Sequence, residues 1–113
     1  MLNQSLDPIF HALAAPNRRV MLERLSRGPA SVGEMAKPLA MSLPAVMQHL
    51  TVLTDAGLVT SQKVGRVRVC RLQPQALTQA QAWIDARRAE WESRLDRLGA
   101  YLQTLQDEEP PHE

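Results

Sequence analysis

Apolar residues recur along this chain at two spacings, and the switch between them marks where helices give way to strands. Ile9, Phe10 and Leu13 make a short helical face behind Asp7-Pro8, a capping residue followed by the residue best tolerated at a first helical position. Ala15-Pro16-Asn17 interrupts that face. Asn17 is placed to cap a second helix carrying Val20, Met21, Leu22 and Leu25, which Gly28-Pro29 ends. Ser31-Val32-Gly33-Glu34 has the form of a capping box, so a third helix starts there and is kept short by Pro38. Ser42 caps a fourth, with Pro44 in its first turn, which runs to Asp55 before Gly57 supplies a left-handed stop. The third and fourth helices, joined across residues 37–41, form a helix-turn-helix unit over residues 31–56.

Beyond Gly57 the pattern becomes β-branched and alternating on either side of Gly65, which predicts a β-hairpin, or wing, over residues 58–72. With Val64 in the loop, β-branching opposes the positive φ of a type I′ turn, so a type II turn or a longer loop is expected. Pro74 opens a last helix of about thirty residues, predicted over 74–106. The acidic, proline-bearing residues 107–113 are expected to be a disordered tail. The pattern predicts one domain over residues 1–106, mostly α with a small β-wing, in the order α-α-α-α-β-β-α of a winged helix-turn-helix.

A length of 113 residues supports one modest core. With only four aromatic residues (Phe10, Trp83, Trp91 and Tyr101), Leu, Val, Met and Ala must fill most of it. The single cysteine, Cys70, can form neither an internal disulfide nor a multi-cysteine metal site within one chain. No leader pattern and no long uncharged apolar run is present, so a cytoplasmic protein with no membrane partner is expected. Net charge is only +1, but it is unevenly spread. Residues 16–73 hold nine basic side chains against three acidic ones, whereas residues 74–113 hold four against eight. The middle of the chain suits a polyanion and the end does not.

On the fourth helix, Leu43, Val46, His49, Leu50 and Leu53 fall on one broad face, the expected core side. Pro44, Gln48, Thr51 and Asp55 fall opposite, with Met47 at the flank, and this outer face carries no lysine or arginine. Small, uncharged, amide-bearing surface suits a groove of double-stranded DNA. Gln pairs with adenine, Thr with several base edges, and Met packs on a thymine methyl, which makes Pro44, Met47, Gln48 and Thr51 the candidate base contacts. Arg18, Arg19, Ser42, Lys63, Arg66 and Arg68 are the candidate phosphate contacts that would supply affinity. The bland alternative is an ordinary polar helix surface with solvated charges beside it.

These residues also carry a resemblance. Phe10-His11-Ala12-Leu13-Ala14-Ala15-Pro16-Asn17-Arg18-Arg19 is followed by Met41-Ser42-Leu43-Pro44-Ala45-Val46-Met47-Gln48-His49-Leu50, by Leu53 and Ala56-Gly57-Leu58-Val59, and by Gly65-Arg66. Together, across residues 6–105, they resemble the ArsR/SmtB family of dimeric winged-helix repressors. The resemblance implies a homodimer on an imperfect palindromic operator, commonly beside the repressor's own promoter, with release by an inducer of unknown identity. The chain departs from the family at Met47, where Ser is usual, and at Gln48 and Thr51, where Lys is frequent. Family metal sensors carry two cysteines at the start of the third helix, or His and carboxylate ligands along the last. This chain has Ser31-Val32-Gly33-Glu34-Met35-Ala36-Lys37 and no histidine between Pro74 and Pro111, so no metal and no cofactor is expected.

The last helix carries Leu77, Ile84, Trp91, Leu98, Leu102 and Leu105 at helical steps, with Leu95 on an adjacent line. Thirty helical residues extend about 45 Å, longer than a domain of this size is wide. Pairing with the same helix of a second copy, with Phe10 alongside, would bury the stripe; a coiled coil with another protein is the rival. Cys70 reads either as a small buried hydrophobe or, beside Arg68 and Arg71, as a redox thiol. His49 and His11 read as structural. No nucleophile and base stand at a recognisable spacing, which speaks against an enzyme. The function expected is a sequence-specific transcriptional repressor; the alternative is a winged-helix protein-interaction module that does not read DNA.

Overall fold

The computed structural model describes residues 6–108. Helix α1 spans Leu6–Leu13 and buries Leu6, Ile9 and Ala12. It begins one residue before Asp7, so Asp7 sits in the first turn, where its charge meets the positive end of the helix dipole, and is not the cap. Helix α2, Pro16–Leu25, has Ala15 at its N-cap, extended at φ −105° and ψ 130°, with no side-chain cap bond. The expected Asn17 cap is therefore corrected. A residue before proline is pushed into extended backbone, and Pro16 has its φ preset for a helix, so the Ala15-Pro16 step starts α2 unaided.

A two-residue strand β1, Ala30–Ser31, follows and was not expected. Such a strand is too short to show alternation. Helix α3, Val32–Ala36, opens on the predicted capping box: Ser31 Oγ accepts from the Glu34 N–H at 3.1 Å, and Glu34 Oε1 accepts from the Ser31 N–H at 3.3 Å. Helix α4, Leu43–Asp55, is capped by Ser42, whose Oγ accepts from the Ala45 N–H at 3.3 Å. It ends as Gly57 turns to φ +77°. The Gly57 N–H then reaches the Thr54 carbonyl and the Leu58 N–H reaches that of Leu53, the paired bonds of a Schellman stop.

Strands β2, Val59–Val64, and β3, Val67–Leu72, pair antiparallel with Val64 opposite Val67. The loop is therefore Gly65-Arg66. Gly65 has φ +63° and no other residue type among those described has a positive φ, which is the pattern of a type II′ turn. The expected type II or longer loop placed Val64 in the turn; it is the last strand residue. The sheet is three-stranded in the order β1-β3-β2, with Cys70 opposite both Ala30 and Ser61. The element order is thus α-α-β-α-α-β-β-α.

The core joins Ile9, Met21, Leu25, Met35, Val46, Leu50, Leu53, Leu58, Val59 and Cys70 with Ala76 and Ala80. Helix α5 spans Pro74–Asp107; Ala76 and Ala80 are buried, and every described residue from Gln81 onward is exposed. The chain divides into a unit ending at Ala80 and a second beginning at Gln81. Asp107, expected to open a disordered tail, is the last residue of α5 and accepts from Gln103 at 3.2 Å; residues 109–113 of that expected tail lie outside the described residues. Among the described residues no helix is long and apolar enough to cross a membrane.

Candidate nucleic-acid interface

Helix α4 is held by one buried stripe, Val46, Leu50 and Leu53, and this fixes what it shows on the other side. Pro44, Met47, Gln48 and Thr51 are all exposed. No charged side chain appears on the helix before Asp55. Leu43, expected on the core face, is 55% exposed, because the first helical residue stands beyond the end of the core that its azimuth points toward. Thr51 Oγ1 donates to the Met47 carbonyl at 3.0 Å and Thr54 Oγ1 to that of Leu50 at 2.8 Å, so both hydroxyl hydrogens are spent within the helix. Between this helix and the wing lies a groove of about 200 Å³ whose lining includes Met47, Thr51, Asp55, Ser61 and Arg68.

The wing presents cations. The side chains of Lys63 and Arg66 are exposed and, among the described residues, make no hydrogen bond or ion pair. Arg68 is exposed and gives one donor to Ser61 Oγ at 2.9 Å. A guanidinium has five donors, so most remain available. Ser42, which accepts from its own helix, keeps its hydroxyl hydrogen free to donate at the N-terminus of α4.

Arg18 is different, and its expected phosphate contact is corrected. It is 8% exposed. Its Nε donates to the Ala12 carbonyl at 2.8 Å and its Nη2 to the His11 carbonyl at 2.8 Å, closing the free end of α1. Its Nη1 lies 3.2 Å from His49 Nδ1; because arginine only donates, that nitrogen is the acceptor. The side chain thus ties α1, α2 and the half-buried His49 of α4 together. Arg19 is exposed and lends Nη1 to the Leu13 carbonyl at 2.7 Å, keeping its other donors. Nothing in the sequence around Arg18-Arg19 separates an inward arginine from an outward one, apart from the i, i+3 and i+4 spacing of Arg18 with the buried Met21 and Leu22.

Cys70 is fully buried at the centre of the sheet. Burial pushes its thiol up, and the nearby Arg68 offsets this only in part. A redox role is therefore corrected, since reactive cysteines are exposed and thiolate-rich. Of the residues expected at a dimer contact, Phe10 and Leu77 pack half-buried against the core, whereas Ile84, Trp91, Leu95, Leu98, Leu102 and Leu105 are exposed along α5.

Comparison with known proteins places this surface in a family. A helix-turn-helix domain family matches residues 13–62, which include α2, α3 and α4. The HTH-type transcriptional regulator Rv2034 of Mycobacterium tuberculosis is 44% identical over 82 residues, covering 73% of this chain and 77% of that protein. The HTH-type transcriptional repressor SmtB of the same species is 38% identical over 64 residues, covering 57% of this chain and 47% of that one. Among solved structures, the ArsR family transcriptional regulator RHA00566 superposes with a TM-score of 0.78 at 45% identity, covering 82% of this chain and 96% of that one. The chain belongs to the ArsR/SmtB family of winged helix-turn-helix, DNA-binding transcriptional regulators.

Proposed function

We propose that this regulator is a cytoplasmic repressor that binds a pseudo-palindromic operator as a homodimer. The observation that carries the reading is the outward surface of α4, exposed and uncharged over its first three turns and flanked by the unpaired cations of the wing. In this reading Gln48, Met47, Pro44 and Thr51 meet base edges in the major groove, while Ser42, Arg19, Lys63, Arg66 and Arg68 hold phosphates. The relatives named as repressors support repression as the mode of action.

The dimer rests on α5. Trp91, Leu95, Leu98 and Tyr101 are each more than half exposed, too much apolar surface on one helix to leave in water. A second copy of the helix covers it, and two recognition helices then meet half-sites one DNA turn apart.

Selection of bound genomic fragments tests the proposal. It should recover a two-fold symmetric sequence, and Gln48→Ala should lose about 1–3 kcal/mol of discrimination at one base position per half-site. Equal retention of all fragments at moderate salt would overturn the operator reading.

A further inference from the structure

Leu43, Met47 and Thr51 stand four residues apart and so form one row along α4, about 12 Å long. Leu43 is 55% exposed and Met47 38%. A single exposed leucine is ordinary in a soluble protein, but an apolar row beside Gln48 and Pro44 on a DNA-reading helix is not. Thr51 extends the row: with its hydroxyl hydrogen given to the Met47 carbonyl, its oxygen can only accept, and its methyl adds an apolar group to the row. The next residue in the row is Asp55, whose carboxylate closes it toward the groove shared with Arg68.

We propose that Leu43, with Met47 and the Thr51 methyl, selects the operator by packing on thymine 5-methyl groups. The inference rests on the operator reading above. The major groove offers one apolar feature per A·T pair, that methyl, and no charged partner is needed to meet it. The row is continuous with the surface that faces DNA in that reading, and the exposed cations Lys63 and Arg66 on the wing match a polyanion, not an apolar protein face. Leu43 thereby gains a role in specificity that its place on the core azimuth hides.

The test uses the full chain and a duplex carrying the sequence recovered by genomic selection, with each thymine in turn replaced by deoxyuridine. That exchange removes the methyl and leaves hydrogen bonding intact. Binding by the unaltered protein should weaken about four-fold for each contacted methyl, the factor corresponding to about 0.8 kcal/mol for one buried methylene-sized group. Leu43→Ala, at an exposed position and checked for folding by circular dichroism, should bind the thymine operator more weakly and lose its sensitivity at one of those positions. A recovered operator that binds equally well with uracil throughout would overturn this inference and leave the operator reading standing. Full retention of methyl sensitivity by Leu43→Ala, or loss of a protein complex in place of DNA affinity, would overturn it too. Failure to recover any preferred sequence removes the operator reading and this inference with it.

Discussion

Helix α2 and the wing are both rich in arginine, yet they use it in opposite directions. On α2, Arg18 donates to the carbonyls of His11 and Ala12, Arg19 to that of Leu13, and Arg24 to the Gly28 carbonyl and the Glu34 carboxylate. On the wing, Lys63 and Arg66 are unpaired among the described residues, and Arg68 holds only a serine hydroxyl. The helix turns donors of each of its arginines onto backbone carbonyls, whereas the hairpin holds Lys63 and Arg66 out with no carbonyl to meet. A count of positive charge along the chain therefore overstates what can meet phosphate.

The sharpest way to break this contrast is Arg18→Ala. The Ala12 carbonyl and His49 would lose the Arg18 donor and the His11 carbonyl would keep only the Ala14 N–H, so unfolding in urea should show a loss of about 3 kcal/mol. Arg18→Lys should recover little, because one ammonium cannot reach all three groups. An alanine variant of full stability whose DNA binding has a shallower salt dependence would return Arg18 to the phosphate set. On the wing the outcomes should reverse. Arg66→Ala should leave stability within about 0.5 kcal/mol and reduce the slope of log affinity against log salt by about 1, with Arg68→Ala less clean because Ser61 also loses a partner. The smallest effect concerns Arg24. The backbone N–H of Ser31 holds the Glu34 carboxyl below its ordinary range, helped by the Ser31 hydroxyl and then by Arg24. A carboxyl lowered by folding stabilises the fold above its unfolded value, and that contribution is lost as pH falls through the lower folded value. Glu34→Gln should accordingly flatten the acid limb of a stability-versus-pH curve, and Arg24→Ala should flatten it less.

The same contrast marks where the sequence was legible. The capping box at Ser31 and Glu34, the Ser42 cap and the Gly57 stop are local chemistry, settled within a few residues, and each stands where the sequence places it. The core stripe Val46, Leu50 and Leu53 follows from periodicity alone. Strand β1 was invisible because it exists only as a partner for β3. The turn was misplaced by one residue because strand register, not loop composition, decides which side of Gly65 the last pair falls. Arg18 and Leu43 failed for a related reason. Whether a side chain is covered depends on what lies at the end of a neighbouring helix, and azimuth carries no record of that.

Ser31 belongs to two structures at once, as the last residue of β1 and the cap of α3. Its strand neighbour is Val69, in the middle of β3, which in turn pairs with Gln62 of β2. The hairpin is consequently a strut, not a flap. The ladder joins the hairpin to the residue that caps α3, so a duplex that pushes on the wing pushes on a sheet that includes the first residue of the helix-turn-helix.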